Sequence, residues 1–204
     1  MTKTRREKPT FIEEARRKQI VEAAIETIAD SGYLNASLAE IAKSADISKG
    51  VISYHFESKD ELVAATMNTI LSDSYRYIKG RVTAAGTQRD KLIAYIEASF
   101  EYMQQNRSQF VALVDLWGSF SSFEGKKHYS SIAYDPCRRH LTNILEPGQA
   151  GGEFRGFPAS TLASIIQAAI DGIMLQWVFD PETVNLEECS REIAAIFDHY
   201  TRME

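Results

Sequence analysis

The sequence predicts an all-α protein of about nine helices, and three observations lead there. Apolar residues recur at three- and four-residue spacing through almost the whole 204-residue chain. No stretch alternates apolar and polar side chains for long enough to make a convincing strand. Ser-x-x-Glu openings and Gly, Asn or Pro stops bracket the periodic segments, as helix ends require.

Val21, Ala24, Ile25 and Ile28 occupy i, i+3, i+4 and i+7 of a first helix that Gly32 stops. Ser37 with Glu40, and Ser58 with Glu61, carry the capping-box spacing, so each opens a helix. Between them Asp46-Ile47-Ser48 breaks one short helix, and Ser48 caps the next. Val63, Met67, Ile70 and Leu71 carry a longer helix toward Arg81, and Thr83 to Gln88 form a loop around Gly86. Leu92, Tyr95, Ile96 and Met103 mark a helix that Asn106 interrupts; Phe110, Leu113, Val114 and Trp117 mark another, ending within 118–125. The segment Lys126 to Leu145 contains Pro136, which must kink it or start it afresh. Pro147 to Pro158 holds four of the eleven glycines and reads as a loop. Two last helices follow, Ala159 to Phe179 and Leu186 to Arg202, separated by Asp180-Pro181.

Composition narrows the function. Hydrophobic residues at 44% and charged residues at 25% fit a globular protein and exclude a disordered or collagen-like chain. No apolar run approaches the roughly 20 residues of a membrane span, and the charged start is no secretory leader; a cytoplasmic protein without membrane contact is expected. Cys137 and Cys189 are too far apart for a metal-ligand spacing, and His55, His128, His140 and His199 form no paired motif, so no metal is expected. Gly148-Gln149-Ala150-Gly151-Gly152 follows a proline rather than a strand and cradles no phosphate, so neither cofactor nor enzyme chemistry is expected. The formal net charge of -5 is segregated. Lys3, Arg5, Arg6, Lys8, Arg16, Arg17 and Lys18 crowd the start, while acids dominate from Asp180 onward. Phosphates sense local potential, so the sum does not exclude nucleic acid.

The informative region is Ser37 to Phe56, two helices too short to fold alone, joined by a tight turn after Ala45. Leu38, Ile41, Ala42, Ile47, Ile52 and Phe56 form an apolar seam between them, which is what a helix-turn-helix requires. Ile52 and Phe56 face inward, leaving Lys49, Gly50, Ser53 and Tyr54 on an outer face nearly free of acid. That face suits a major groove. Gly50 permits close approach, Val51 can meet a thymine methyl, and Lys49 and Ser53 can bond base edges. Tyr54, His55, Lys59 and the Ser37 hydroxyl are placed for phosphates. On spacing alone, an ordinary pair of surface helices without a ligand remains open.

At these residues the sequence resembles the TetR family of transcriptional regulators. The resemblance is carried by Ala36-Ser37-Leu38-Ala39-Glu40-Ile41-Ala42, by Ser48-Lys49-Gly50-Val51-Ile52-Ser53-Tyr54-His55-Phe56 and by Ser58-Lys59-Asp60-Glu61-Leu62. It implies that Lys49, Gly50, Val51 and Ser53 face bases, that Ser37, Tyr54, His55 and Lys59 hold phosphates, and that an all-helical dimer binds an effector in its larger carboxy-terminal domain. Ile170-Asp171-Gly172-Ile173 with Trp177 to Pro181 resembles the eighth helix of many members, choline-responsive BetI-type repressors among them. The chain then divides into a basic arm over 1–15, a helix-turn-helix domain over 16–61, and an effector-binding and dimerisation domain over 62–204.

Within that last domain Leu162, Ile165, Ile166, Ala169, Ile170, Ile173, Met174 and Trp177 make one apolar stripe, with Ala168, Gly172, Leu175 and Phe179 on another face. A helix apolar on two faces is either buried in one chain or shared with a partner. With the resemblance, the expectation is a dimer interface of Leu162, Ile166, Ala169, Ile173, Ile193, Phe197 and Tyr200. Aromatic residues concentrate between Tyr95 and Tyr134, where helical spacing makes core the usual role. Trp117, Phe120, Tyr134, Arg138, Gln167 and Trp177 are candidates for an effector pocket between helices. An arginine turned inward there favours an acidic effector over a quaternary ammonium. The reading is a homodimeric repressor released from a palindromic operator in double-stranded DNA by a small molecule; the alternative is a helical protein-binding module without DNA recognition.

Overall fold

The computed structural model describes residues 10–117 and 123–203, and among these the chain is helical with no strand, only a single bridge between Phe154 and Arg202. It forms two compact units, divided between Thr69 and Ile70, within one continuous helix rather than at its start.

In the first unit α1 (Phe11–Ser31) opens on Thr10. Thr10 Oγ1 accepts from the Glu13 N–H at 3.3 Å, and Glu13 accepts from the Thr10 N–H at 2.7 Å. This reciprocal box starts the helix five residues before Arg16, so the end of the expected basic arm is helical; Met1 to Pro9 lie outside the described residues. Gly32, at φ 82°, ends α1 where a side chain would be strained. α2 (Leu38–Ser44) opens on Ser37, whose hydroxyl accepts from the Glu40 N–H at 3.2 Å. Asp46, at φ 52°, makes the turn into α3 (Lys49–His55). Ser48 takes the capping backbone geometry, but its hydroxyl makes no cap bond, so the cap expected of it is absent. α4 (Lys59–Ala84) begins on Ser58, which accepts from the Glu61 N–H. Ile20, Ala24, Ile28, Ile41, Ile52, Phe56 and Leu62 form the core. Gln19 ties α1 to the turn through the Ala45 carbonyl at 2.8 Å. Arg17 lies 4.0 Å over the Phe56 ring, pairs with Glu61 at 3.3 Å and donates to the His55 carbonyl. One guanidinium therefore fixes the end of α3.

The second unit continues α4 and adds α5 (Gln88–Gln105), α6 (Arg107–Trp117), α7 (Phe123–Tyr129), α8 (Asp135–Ala150), α9 (Ala159–Phe179) and α10 (Leu186–Thr201). A π-helical turn, Ser130–Tyr134, joins α7 to α8. Pro136 sits in the first turn of α8, where a missing N–H costs nothing, so the helix restarts there. Counting Phe123–Ala150 as one broken helix, the described elements number nine. α8 runs through Pro147, against the expected loop, and ends at Ala150. Its end is locked by packing: a Cβ on Gly148 would lie 2.2 Å from the Phe154 ring, which folds back over it. The core gathers Leu92, Ile96, Phe100, Leu116, Leu141, Leu145, Ile166 and Ile170.

By length and a mean hydropathy of 1.5, α9 is apolar enough to cross a membrane, which departs from the composition reading. Its Leu162, Ile166, Ile170 and Met174 face is instead buried in its own unit.

α10 is held to α5 by a buried carboxylate. Asp198 accepts from Arg89 Nη2 at 2.8 Å and from Arg202 Nη2 at 2.5 Å, with Arg89 Nε on its second oxygen. The Arg89 bond, and then Arg202, pull its pKa down to about 2. A depressed carboxylate stabilises the fold above its unfolded pKa of about 4, and that stability is lost as pH falls toward 2. Both guanidiniums are half-exposed, so Asp198→Asn is expected to cost about 1–2 kcal/mol, less than a fully buried pair. Urea unfolding at pH 7 should show that loss, and the gap to the parent should narrow at pH 3.

Candidate functional site

Two sites can be built from residues upward, one in each unit. In α3, Ile52 is fully buried and Phe56 nearly so, and the helical period then places Lys49, Gly50, Ser53 and Tyr54 outward, all exposed. Ser48 and Ser37 are exposed as well, while Val51 and His55 are half-buried. A Cβ on Gly50 would meet only Ser48 Oγ at 3.6 Å, so the chain's own packing does not demand glycine there. Among the described residues Lys49 makes no ion pair. The Tyr54 ring stands 74% exposed, edge-on to His55, with its hydroxyl 3.4 Å from Glu13.

Lys59 differs from a free cation. Its Nζ donates to the Tyr33 carbonyl at 2.9 Å and lies 4.3 Å over the Tyr33 ring. Two N–H donors remain on the ammonium, so it can clamp a phosphate while anchored. The sequence places Arg17 only in the basic start, because its long-range bond to the His55 carbonyl leaves no periodic signal.

The second site is a cavity of about 380 Å³ in the carboxy-terminal unit. Its described lining includes Trp117, Tyr134, Arg138 and Gln167, four of the six expected residues. Phe120 lies outside the described residues. Trp177 does not line it: the ring is buried on the opposite side of α9, 5.7 Å from the Arg107 guanidinium. Ser164, Ala168, Asp171, Gly172 and Leu175 complete the α9 wall together with Gln167. They follow at helical spacing, so the second apolar face of α9 is largely a cavity wall.

Three rings stand together. The Trp117 indole N–H donates to the Tyr129 hydroxyl, and the Tyr129 and Tyr134 rings meet edge to face at 5.5 Å. Burial raises the pKa of both tyrosines, so both hydroxyls are neutral donors at pH 7. Behind them Gln167 is oriented from both ends: its Oε1 accepts from the Tyr95 hydroxyl at 3.0 Å, and its Nε2 donates to Asp171 at 2.8 Å. Burial pushes the Asp171 carboxyl up to about 6, and the Gln167 bond only partly opposes it.

Asp171 makes no ion pair among the described residues. Arg138 does: it meets Asp135 at 2.5 Å and reaches toward Ser130 Oγ at 3.4 Å, with its guanidinium 5.8 Å from the Tyr134 ring centre. The uncompensated charge at the aromatic cavity is therefore negative. Asp171 was the signal to follow, since it is the one charged residue in the 21 of α9.

The expected dimer residues divide. Leu162, Ile166 and Phe197 are buried within their own unit, at 5%, 0% and 7% exposure, and cannot form an interface as the chain stands. Ala169, Ile173 and Ile193 are half-buried and Tyr200 is exposed. The open apolar side chains are Ile165, Leu175 and Phe179 on α9 and Ile196 and Tyr200 on α10. An apolar period that runs nearly round the helix does not say which side turns in.

Residues 20–66 match the family model for bacterial regulatory proteins of the tetR family, and residues 88–202 match that for the carboxy-terminal part of BetI-type transcriptional repressors. The HTH-type transcriptional regulator BetI of Pectobacterium atrosepticum is 32% identical over 187 residues, spanning 85% of this chain and 87% of its own. Two solved structures share the fold. A protein of Saccharomonospora viridis in complex with choline superposes with a TM-score of 0.83 at 21% identity, covering 94% of this chain and all of its own. FadR of Bacillus subtilis in complex with stearoyl-CoA gives 0.80 at 21% identity, covering 91% and 99%. With a tetR-family match over its first unit and a BetI-type match over its second, the chain belongs to the TetR family of DNA-binding transcriptional regulators.

Proposed function

We propose that this regulator is a cytoplasmic homodimeric repressor whose operator affinity is lowered by a quaternary ammonium compound of the choline class. The observation that carries the ligand class is Asp171, a partly buried carboxylate that makes no ion pair among the described residues, in a cavity also lined by Trp117 and Tyr134. A quaternary ammonium offers charge and no N–H donor, so aromatic faces and a carboxylate recognise it where hydrogen bonds cannot. Choline in the Saccharomonospora viridis protein supports the reading. The stearoyl-CoA bound by FadR does not transfer, because an acyl chain would bury Asp171 against hydrocarbon.

On DNA, α3 is the reading helix, and two copies about 34–36 Å apart enter successive major grooves. A ligand that binds better to a dimer with another separation lowers operator affinity by that difference in free energy. α4, which begins in the first unit and ends in the second, is the element through which the change travels.

A shift assay on a palindromic fragment from upstream of the gene tests this. Choline at millimolar concentration should release the complex, and a complex indifferent to choline sinks the ligand class. A protein that binds no palindromic fragment specifically at moderate salt returns the chain to a protein-binding module. Two substitutions then sort the reading head. Lys59→Ala should weaken all DNA sequences alike and reduce the salt slope by about one per half-site. Ser53→Ala should relax preference at one base pair per half-site, by about 1–3 kcal/mol of discrimination. Anisotropy titrations on a panel of single-base variants separate the two, and equal losses everywhere for both mutants would show that Ser53 reads no base.

A further inference from the structure

We infer that Tyr95 is the residue through which the occupied cavity acts on α4: its hydroxyl steadies the ligand's carboxylate by way of Gln167, and its ring stands one aromatic side chain, His140, away from Tyr75 of α4. The inference rests on the onium reading of the Asp171 cavity and assigns the regulation of that site.

The hydroxyl end is a directed chain. Tyr95 lies on α5 and is 2% exposed. It donates to Gln167 Oε1 at 3.0 Å, and Gln167 Nε2 donates to Asp171 Oδ1 at 2.8 Å. An ionised carboxylate only accepts, so it draws the N–H end of the amide toward itself and turns the carbonyl end to the Tyr95 hydroxyl. A cation arriving at Asp171 pulls on a carboxylate that Gln167 holds, and Gln167 is tied in turn to Tyr95. The core around Tyr95 is packed without slack, so a displacement of its hydroxyl is handed to the neighbours of its ring.

Those neighbours lead to α4. The Tyr95 and His140 rings meet edge to face at 5.3 Å and 87°, and His140 meets Tyr75 at 5.5 Å and 60°. His140 Nδ1 is buried and has no hydrogen-bond partner among the described residues, so ring packing sets that side of the imidazole. Burial, and then Lys79, lowers its pKa; at pH 7 the ring is neutral and passes on position rather than charge. α4 also meets α5, through Tyr77 against Tyr102 at 5.3 Å and through Arg81 with Glu101 at 3.1 Å. Tyr102 and Glu101 do not line the aromatic cavity. Of these three attachments, only that of Tyr75 leads back to it. Side chains packed and hydrogen-bonded in series carry coupling between sites, and a substitution among them changes it without touching either ligand.

The test separates binding from coupling in the full-length protein, with choline chloride as the probe. Calorimetry gives its affinity with and without a palindromic upstream fragment, and anisotropy gives the fragment's affinity with and without saturating choline. In the parent the two factors should be equal, as linkage requires, and lie between about 5 and 150. Tyr75 is 37% exposed, so Tyr75→Leu should keep the fold. It should bind choline and the fragment, each alone, within about threefold of the parent, with the coupling factor cut at least about fivefold. His140→Leu should act alike, and Tyr75→Phe, which keeps the ring, should keep the factor. Tyr77→Leu, the control on the same helix, should leave it unchanged. Tyr95→Phe keeps the ring packing and removes the hydroxyl, and should weaken choline binding about tenfold. Tyr95→Phe binding choline like the parent, Tyr75→Leu and His140→Leu both keeping the parent's factor, or Tyr77→Leu losing as much as Tyr75→Leu, would each overturn the assignment and leave the onium reading standing. A parent that binds choline with no loss of operator affinity overturns the inference and the release by choline, but not the ligand class. Failure of choline to bind the parent overturns both.

Discussion

Asp171→Asn is expected to make the ligand-free protein more stable and deaf to choline at once. The carboxyl of Asp171 is raised to about 6 by burial, against about 4 in an unfolded chain. A group raised in this way stabilises the fold fully below its unfolded pKa and loses that contribution as pH rises through 6. At pH 7 the fold thus carries the cost of a partly buried charge that has no ion-pair partner among the described residues, about 1–3 kcal/mol after allowance for residual solvent. Asparagine keeps the shape and the acceptor that meets Gln167 Nε2 at 2.8 Å, and it sheds the charge. The melting temperature should rise by several degrees at pH 7, with the gain vanishing near pH 4. Choline affinity should fall about a hundredfold, since the ligand's charge then faces rings alone. In the parent, affinity should drop about tenfold per unit below pH 6 and level off above it, and in the mutant it should be flat. A mutant that binds choline within twofold of the parent would remove Asp171 from the site. Stability given up at a binding residue is a common mark of function.

The two sites were not equally legible, and the reason is physical. In α3 one buried pair, Ile52 and Phe56, sets the direction of every other side chain, because the helix is short and its outer face polar. The motif spans a few turns, and local geometry suffices. α9 offers no such contrast. Its apolar residues occupy almost the whole circumference, so Leu162 and Ile166 read as well for an interface as Ile165, yet the first two are buried and the last is open. Only packing against α8, with α6, α10 and α5 around it, settles the rotation. The same packing explains Pro147: a proline read alone ends a helix, but the Phe154 ring seated on Gly148 carries α8 on to Ala150. Asp171 was visible in the sequence and missed as a pocket residue, because its neighbours were weighed as an apolar stripe. A lone acid in such a stripe is expensive unless it has work to do.

The corrected rotation changes which substitutions test assembly. Ile165 and Phe179 on α9 are 52% and 76% exposed, and Ile196 and Tyr200 on α10 are 58% and 43% exposed. Large apolar side chains gathered on two helices mark an association surface, and a twofold axis would bring each pair against its own copy. Ile196→Glu and Ile165→Glu place carboxylates near their symmetry mates, costing desolvation and like-charge repulsion. Both variants should sediment as monomers at micromolar concentration with unchanged helical circular dichroism. Operator affinity should fall by about 10²–10⁴, because the second half-site no longer profits from the first. Phe197→Glu is the contrast: at 7% exposure its ring belongs to the core, and a carboxylate there should unfold the second unit. If Ile196→Glu and Ile165→Glu both stay dimeric, the interface lies elsewhere. Should they unfold as Phe197→Glu does, these faces are part of the core and not a surface between copies.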